Sequence, residues 1–210
     1  MSTERHVLVT AGPTREAIDP VRYLSNESSG RMGFAIAEAA VKAGHRATLI
    51  AGPVDLPTPK GVERVDVVSA RDMLAALEDH FPSADALYMA AAVADYRPAQ
   101  RHAGKWKVKE SGADSVSLEL VRNPDLVKTI ARTKGERRVI AFALETSDGE
   151  RRALAKLQAK GADWIVLNDP SALGAGRTTV TILGADGSRQ HFEDRTKAQV
   201  AESLIALLGT

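Results

Sequence analysis

A chain of 210 residues, 44% hydrophobic and 26% charged, is long enough to bury a sizeable core and has the composition of an ordinary soluble globular protein. Its formal net charge of +1 sets up no global field for nucleic acid or an anionic membrane. The lack of cysteine excludes a disulfide framework, a thiolate metal site and a cysteine nucleophile. No apolar run could span a bilayer, and Met1–His6 carries no signal-peptide core, so a cytoplasmic address is expected. The histidines, at 6, 45, 80, 102 and 191, show no paired metal spacing.

Strands are predicted near 6–11, 46–51, 85–90, 138–142 and 163–167, alternating with helices near 30–44, 70–80, 124–133 and 149–161. This alternation predicts an α/β fold: a Rossmann-like, mainly parallel sheet with helices on both faces and right-handed crossovers. Near the end, Thr178–Leu183 and Arg189–Phe192 flank Ala185-Asp186-Gly187-Ser188, which predicts an antiparallel edge hairpin. A last helix, about Thr196–Leu208, packs back on the sheet. The whole of 1–210 reads as a single domain, with one long loop at about 96–115.

The stretch Ser25-Asn26-Glu27-Ser28-Ser29-Gly30-Arg31-Met32-Gly33 sits between the first strand and the first helix. Ser28 and Ser29 are good helix caps, and Gly30 and Gly33 let backbone approach a ligand or a neighbouring strand. A helix start of this kind suits a phosphate or carboxylate; it equally suits a well-capped helix that binds nothing. The loop at 96–115 carries Arg97, Arg101, His102, Lys105, Lys107 and Lys109, and leaves the sheet through Ala90-Ala91-Ala92-Val93-Ala94-Asp95. Alternation of the three lysines in an extended segment would turn them the same way, as in a flap over a triphosphate. The plainer alternative is a solvated charge run. A dinucleotide fingerprint is missing: Thr10-Ala11-Gly12-Pro13-Thr14 holds one glycine, so a nicotinamide enzyme is discounted.

In order along the chain come Gly12-Pro13-Thr14-Arg15-Glu16, Asp19-Pro20-Val21-Arg22, Ser25 through Gly33, Ala90 through Pro98, Asn123-Pro124-Asp125, Phe142 with Glu145-Thr146, and Asn168-Asp169. Together these motifs resemble phosphopantothenoylcysteine synthetase, the ligase of coenzyme A biosynthesis, in its bacterial CTP-using form. The resemblance implies that the carboxylate of 4′-phosphopantothenate attacks the α-phosphate of CTP, giving an acyl-cytidylate and pyrophosphate. The amine of L-cysteine then displaces CMP. It also implies Mg²⁺ with the nucleotide and a homodimer. No flavin is expected here, because the decarboxylase half found in fused relatives has no counterpart in this sequence; that activity would belong to a separate protein.

Carried over residue by residue, the resemblance makes Asn26 and Lys105 catalytic: Asn26 steadies the acyl-nucleotide, and Lys105 meets the reacting phosphate. Ser28, Ser29 and Gly30 supply phosphate contacts, and Gly12, Ala90, Ala91 and Asp95 belong to the nucleotide side. Pro124, Asp125, Leu126 and Val127 open a helix toward the nucleotide. Phe142 flanks the base, although an ordinary core aromatic would look the same. Lys156 and Lys160, four apart on one helix face, reach one anion or base edge. Metal ligands are not assigned. Trp106, where the family has a smaller aliphatic, and the short segment 170–176 depart from the family pattern. Both would suit a paralogue acting on another carboxylic acid. A non-catalytic nucleotide-binding module is the rival of a different class.

Overall fold

Strand β1, His6–Ala11, is buried at all six positions, which only a central strand covered on both faces can be. The computed structural model describes residues 4–107, 115–145, 148–168 and 177–209. Val7, Val9 and Ala11 face one apolar layer, shared with helices α1 (Arg31–Lys42) and α5 (Lys197–Ala206). Leu8 faces the other, shared with α2 (Ala70–His80), α3 (Leu126–Ala131) and α4 (Gly149–Lys160). The period-two alternation of the strand thus sorts the helices into two layers. Tyr88 lies in the first layer, where its hydroxyl donates to the Leu204 carbonyl at 2.8 Å. Burial pushes its phenol well up from the ordinary range.

Five further parallel strands flank β1: β4 (Arg46–Ala51), β5 (Val62–Asp66), β6 (Ala86–Met89), β9 (Arg138–Leu144) and β10 (Trp164–Asn168). Two antiparallel strands, β11 (Arg177–Gly184) and β12 (Arg189–Thr196), complete the sheet, in the order β12-β11-β10-β9-β6-β1-β4-β5. The order reverses between β1 and β6. In an open α/β sheet, that switch point is where a crevice opens at the carboxyl ends of the strands. The predicted Rossmann-like architecture, with its antiparallel C-terminal edge, is what the chain adopts.

Several boundaries differ from expectation. Strand β5 was not predicted: Val62-Glu63-Arg64-Val65-Asp66 is half-exposed and charged at the sheet edge, so it lacks an apolar run. The long loop is not irregular throughout, since Tyr96–Pro98 (β7) pairs with Leu120–Arg122 (β8). Upstream, Arg15–Ala17 (β2) pairs with Tyr23–Ser25 (β3). Helix α3 is shorter than the predicted 124–133, and Asp125 is its cap, accepting from the Lys128 N–H at 3.1 Å, with Pro124 just before it. The exposed edge strand β12 is not a bare edge. It carries Arg189, Glu193, Asp194 and Arg195, the ladder shifts register between Thr178 and Val180, and Asp194 has φ 47°. Charge and a bulge are the usual means of blunting such an edge.

Candidate functional site

The pairing of β1 with β6 continues past both strands. Thr10 Oγ1 accepts from Ala91 N at 3.2 Å, and the Gly12 carbonyl from Ala92 N at 2.8 Å. The Ala92 carbonyl accepts from Thr14 N at 3.2 Å, and Thr14 Oγ1 from Ala94 N at 3.0 Å. Asn26 spans the same seam, its amide nitrogen 3.1 Å from the Val93 carbonyl and 3.4 Å from that of Ala92. The two loops leaving the switch point are therefore zipped together and hold one wall of a crevice.

The other wall starts at α1. Gly33 sits so close to β1 that a Cβ there would lie 2.5 Å from Ala11 Cβ and 2.8 Å from the Thr10 carbonyl oxygen. The expectation that a glycine lets the helix approach a strand is met at this residue. Capping by Ser28 or Ser29 is not. The N-cap is Gly30, at φ 74°, and among the described residues no side-chain cap bond is made there. A serine cap needs extended backbone, whereas this position is left-handed and suits glycine. The serines are left to line the crevice, beside helix N–H groups and the positive end of the helix dipole.

The crevice encloses about 520 Å³. It is bounded by the start of α1, the loop after β6, the end of β9 (Phe142–Leu144), and single residues Asn168, Thr178 and Lys197. Of the expected site residues, Ser28, Ser29, Gly30, Ala90, Ala91 and Phe142 meet there. Gly12 lies behind them, buried against Gly52 and Val54. Asp95 and Lys105 are exposed and do not line the crevice.

A second group assembles beside it. The Asp95 carbonyl accepts from Asn123 N at 2.8 Å, and Asn123 Nδ2 donates to the Ala94 carbonyl at 2.8 Å, which docks Pro124–Val127 against the loop after β6. Asp125 then meets Lys160 Nζ at 3.2 Å. Lys156 Nζ lies 2.5 Å from Glu145 Oε1, and Arg152 is within 3.6 Å of the same carboxylate. Lys156 chiefly holds the Glu145 carboxyl below its ordinary range, against the opposing effect of burial. Both expected lysines are thus in place on α4, each paired with an acid. Among the described residues, no group of three or more His, Asp or Glu side chains is gathered to hold a metal ion.

The start of the basic loop is built on Asp19, whose side chain is wholly buried. Asp19 accepts from Val21 N and Arg22 N at 2.8 Å, from the Arg22 guanidinium at 2.8 and 2.5 Å, and from Trp106 N at 3.1 Å. Arg22 also donates to the Trp106 carbonyl at 2.6 Å, and the Trp106 ring stacks on His102 at 4.8 Å. Lys105 is therefore presented from a backbone pinned at the next residue. Lys109, Thr146, Asp169 and the segment 170–176 lie outside the described residues.

A family model described as the DNA/pantothenate metabolism flavoprotein C-terminal domain matches residues 2–210. The chain belongs to this family. It is 43% identical over 206 residues to the coenzyme A biosynthesis bifunctional protein CoaBC of Bacillus subtilis, covering 96% of this chain and 50% of that protein. With CoaBC of Escherichia coli it shares 46% identity over 167 residues, 79% of this chain and 41% of the other. The chain thus spans about half the length of these relatives. A crystal structure of the C-terminal domain of CoaBC superposes with a TM-score of 0.84 at 40% identity, covering 97% of this chain and 93% of that one.

Within this flavoprotein C-terminal domain, sequence reasoning assigned no site role to Thr178 and Lys197, and gave Arg31 only its place in the Ser25–Gly33 stretch. Thr178 comes from an edge hairpin and Lys197 from the start of the last helix, so only the folded sheet brings them to α1. No local pattern marks either one.

Proposed function

We propose that this chain catalyses the phosphopantothenate–cysteine ligation of coenzyme A biosynthesis: its relatives' name supports the pathway, and the resemblance of its motifs supports the reaction. The observation that carries the reading is the crevice at the β1/β6 switch point, entered by an α1 N-terminus that no side chain among the described residues caps. In the first step a carboxylate oxygen of 4′-phosphopantothenate bonds to the α-phosphorus of CTP, and pyrophosphate leaves. In the second, the cysteine amine attacks the acyl carbon of the cytidylate, loses a proton, and CMP leaves with the acyl–oxygen bonding electrons. Phosphate oxygens would lie at Ser28, Ser29 and Gly30, the base near Phe142, and a ribose hydroxyl would donate to Asp95. Asn26 would release a loop carbonyl to donate to the acyl-nucleotide. Lys156 and Lys160 would exchange their carboxylate partners for ligand anions. Magnesium would arrive on the triphosphate, keeping waters and needing few protein oxygens, with Glu27 the carboxylate on the crevice wall.

Trp106 gives little support to a paralogue with another acid. It serves the flap root through its backbone, and it does not line the crevice. The test is pyrophosphate release with each reactant omitted in turn. Release is expected only with CTP, a divalent metal and 4′-phosphopantothenate together, and equal release without the acid would reduce the activity to nucleotide hydrolysis.

A homodimer is proposed as well, on a different surface from the sheet edge. Val21 and Tyr23 around one small hairpin, and Tyr96 and Leu120 on the other, are between 42% and 61% exposed, and apolar side chains grouped this way favour association with a second copy. Light scattering at micromolar concentration should give twice the 22.4 kDa of one chain; the mass of a single chain would overturn the assignment.

A further inference from the structure

Glu145 follows directly on Leu144, the last residue of β9, and Leu144 lines the crevice with Phe142. Its carboxylate is answered by two cations from one face of α4, Arg152 and Lys156, a turn apart. The side chain of Glu145 is only 8% exposed, whereas those of Arg152 and Lys156 are 51% and 49% exposed. The two contacts are unequal. Lys156 Nζ lies 2.5 Å from Oε1, an atom shielded from solvent, as an ion pair without hydrogen-bond alignment. Arg152 Nη1 stands off at 3.6 Å from Oε2, beyond hydrogen-bond length. One carboxylate therefore faces two positive charges, and the lysine holds it.

Lys156 cannot leave this acid freely, because a shielded carboxylate without a partner is strongly disfavoured. Lys160 provides the contrast. Its partner Asp125 is 42% exposed and also caps α3, so water and the Lys128 N–H compensate when the lysine departs. Glu145 has little access to water. What stands beside it is Arg152, whose planar fork of donors matches a carboxylate.

We propose that Arg152 is the standby partner of Glu145: when a ligand draws Lys156 away, the guanidinium closes on the carboxylate and keeps it neutralised, so that Lys156 can serve the ligand. Arg152 is thus a positioning residue, which acts through Lys156. The role rests on the ligase reading only in taking CTP as the ligand that draws the lysine.

The experiment is calorimetric titration of the full chain with CTP, beside thermal melting. It compares the wild type with Lys156→Met, Arg152→Gln, Arg152→Lys, Glu145→Gln and the double variant Glu145→Gln/Arg152→Gln. Lys156→Met and Arg152→Gln should each weaken CTP binding on the order of tenfold, and Arg152→Lys should restore most of the loss. The ligand-free melting midpoint of Arg152→Gln should stay within about 2 °C of the wild type, because Lys156 still holds the acid. Once Glu145 is glutamine, Arg152→Gln should change CTP affinity by less than about twofold, since an amide needs no counter-charge. An arginine that attracted the nucleotide by charge alone would keep its full effect in that background, and this result would overturn the standby role. So would CTP binding that is absent from the wild type, or unchanged in Lys156→Met or Arg152→Gln. If binding follows the expected pattern but no combination of CTP and acid releases pyrophosphate, the standby role stands and the ligase reading falls.

Discussion

Lys105→Met is expected to cut turnover on the order of 10²–10³-fold while weakening CTP binding far less, the pattern of a charge partner that matters mainly in the transition state. Lys105 is exposed and one residue from a backbone pinned at Trp106, so its ammonium can swing while its root stays fixed. Removing an exposed loop lysine should leave fold stability within about 0.5 kcal/mol. The competing account is a diffuse positive field from the whole basic loop. On that account Lys105→Met and Lys109→Met would have similar small effects, and both would fade as salt is raised. Turnover and CTP affinity of each variant, at low and high salt, separate the two. Near-native turnover in Lys105→Met would remove the lysine from the mechanism.

Gly33→Val should be the most damaging single change to the scaffold. A mere methyl at this position already falls 2.5 Å from Ala11 Cβ and 2.8 Å from the Thr10 carbonyl oxygen. Neither neighbour is the far end of a flexible chain, so α1 itself must move off β1. Overpacking of this kind costs about 3 kcal/mol at the upper end of its usual range. For a chain of this size that corresponds to a melting midpoint lower by roughly 10 °C. The same displacement shifts the start of α1, so ligand affinity should fall in parallel. Gly104→Ala is the control, because its added Cβ would meet nothing within 4 Å. Thermal denaturation of both variants is the measurement, and a Gly33→Val midpoint within a degree or so of wild type would show that helix and strand are not truly in contact.

The sheet was legible because its parallel strands are buried on both faces and read as apolar runs, as Val7–Ala11 and Ala86–Met89 do. Helix α2 matched its predicted span, 70–80, and Ser69 and Asp72 form a capping box at its start. Strand β5 and the two small hairpins were missed because their polar or half-exposed residues acquire strand character only from a partner across the ladder. At the site, the β1–α1 stretch was legible through its serines and glycines, although the capping role went to the wrong residues. Other motif residues turned out to be framework. Thr14 holds the loop after β6, Glu16 accepts from Ala70 N at 2.9 Å at the start of α2, and Asp19 anchors the basic loop at Trp106. Their roles are set by partners far along the chain, which a linear motif does not display.

Asp19 also has a consequence in proton linkage. The Arg22 guanidinium, helped by the N–H groups of Val21, Trp106 and Arg22, holds its carboxyl well below the ordinary 3.8, despite the opposing effect of burial. A carboxyl that is a stronger acid in the folded chain than in the unfolded one stabilises the fold fully above its ordinary pKa. That contribution is lost only as the pH falls through the lowered folded value. The tether at Trp106 is therefore blind to protons throughout the neutral range. A pH dependence of turnover near neutrality would report on the attacking amine or the ligand phosphates, because the ionisation that fixes the loop's root is already complete.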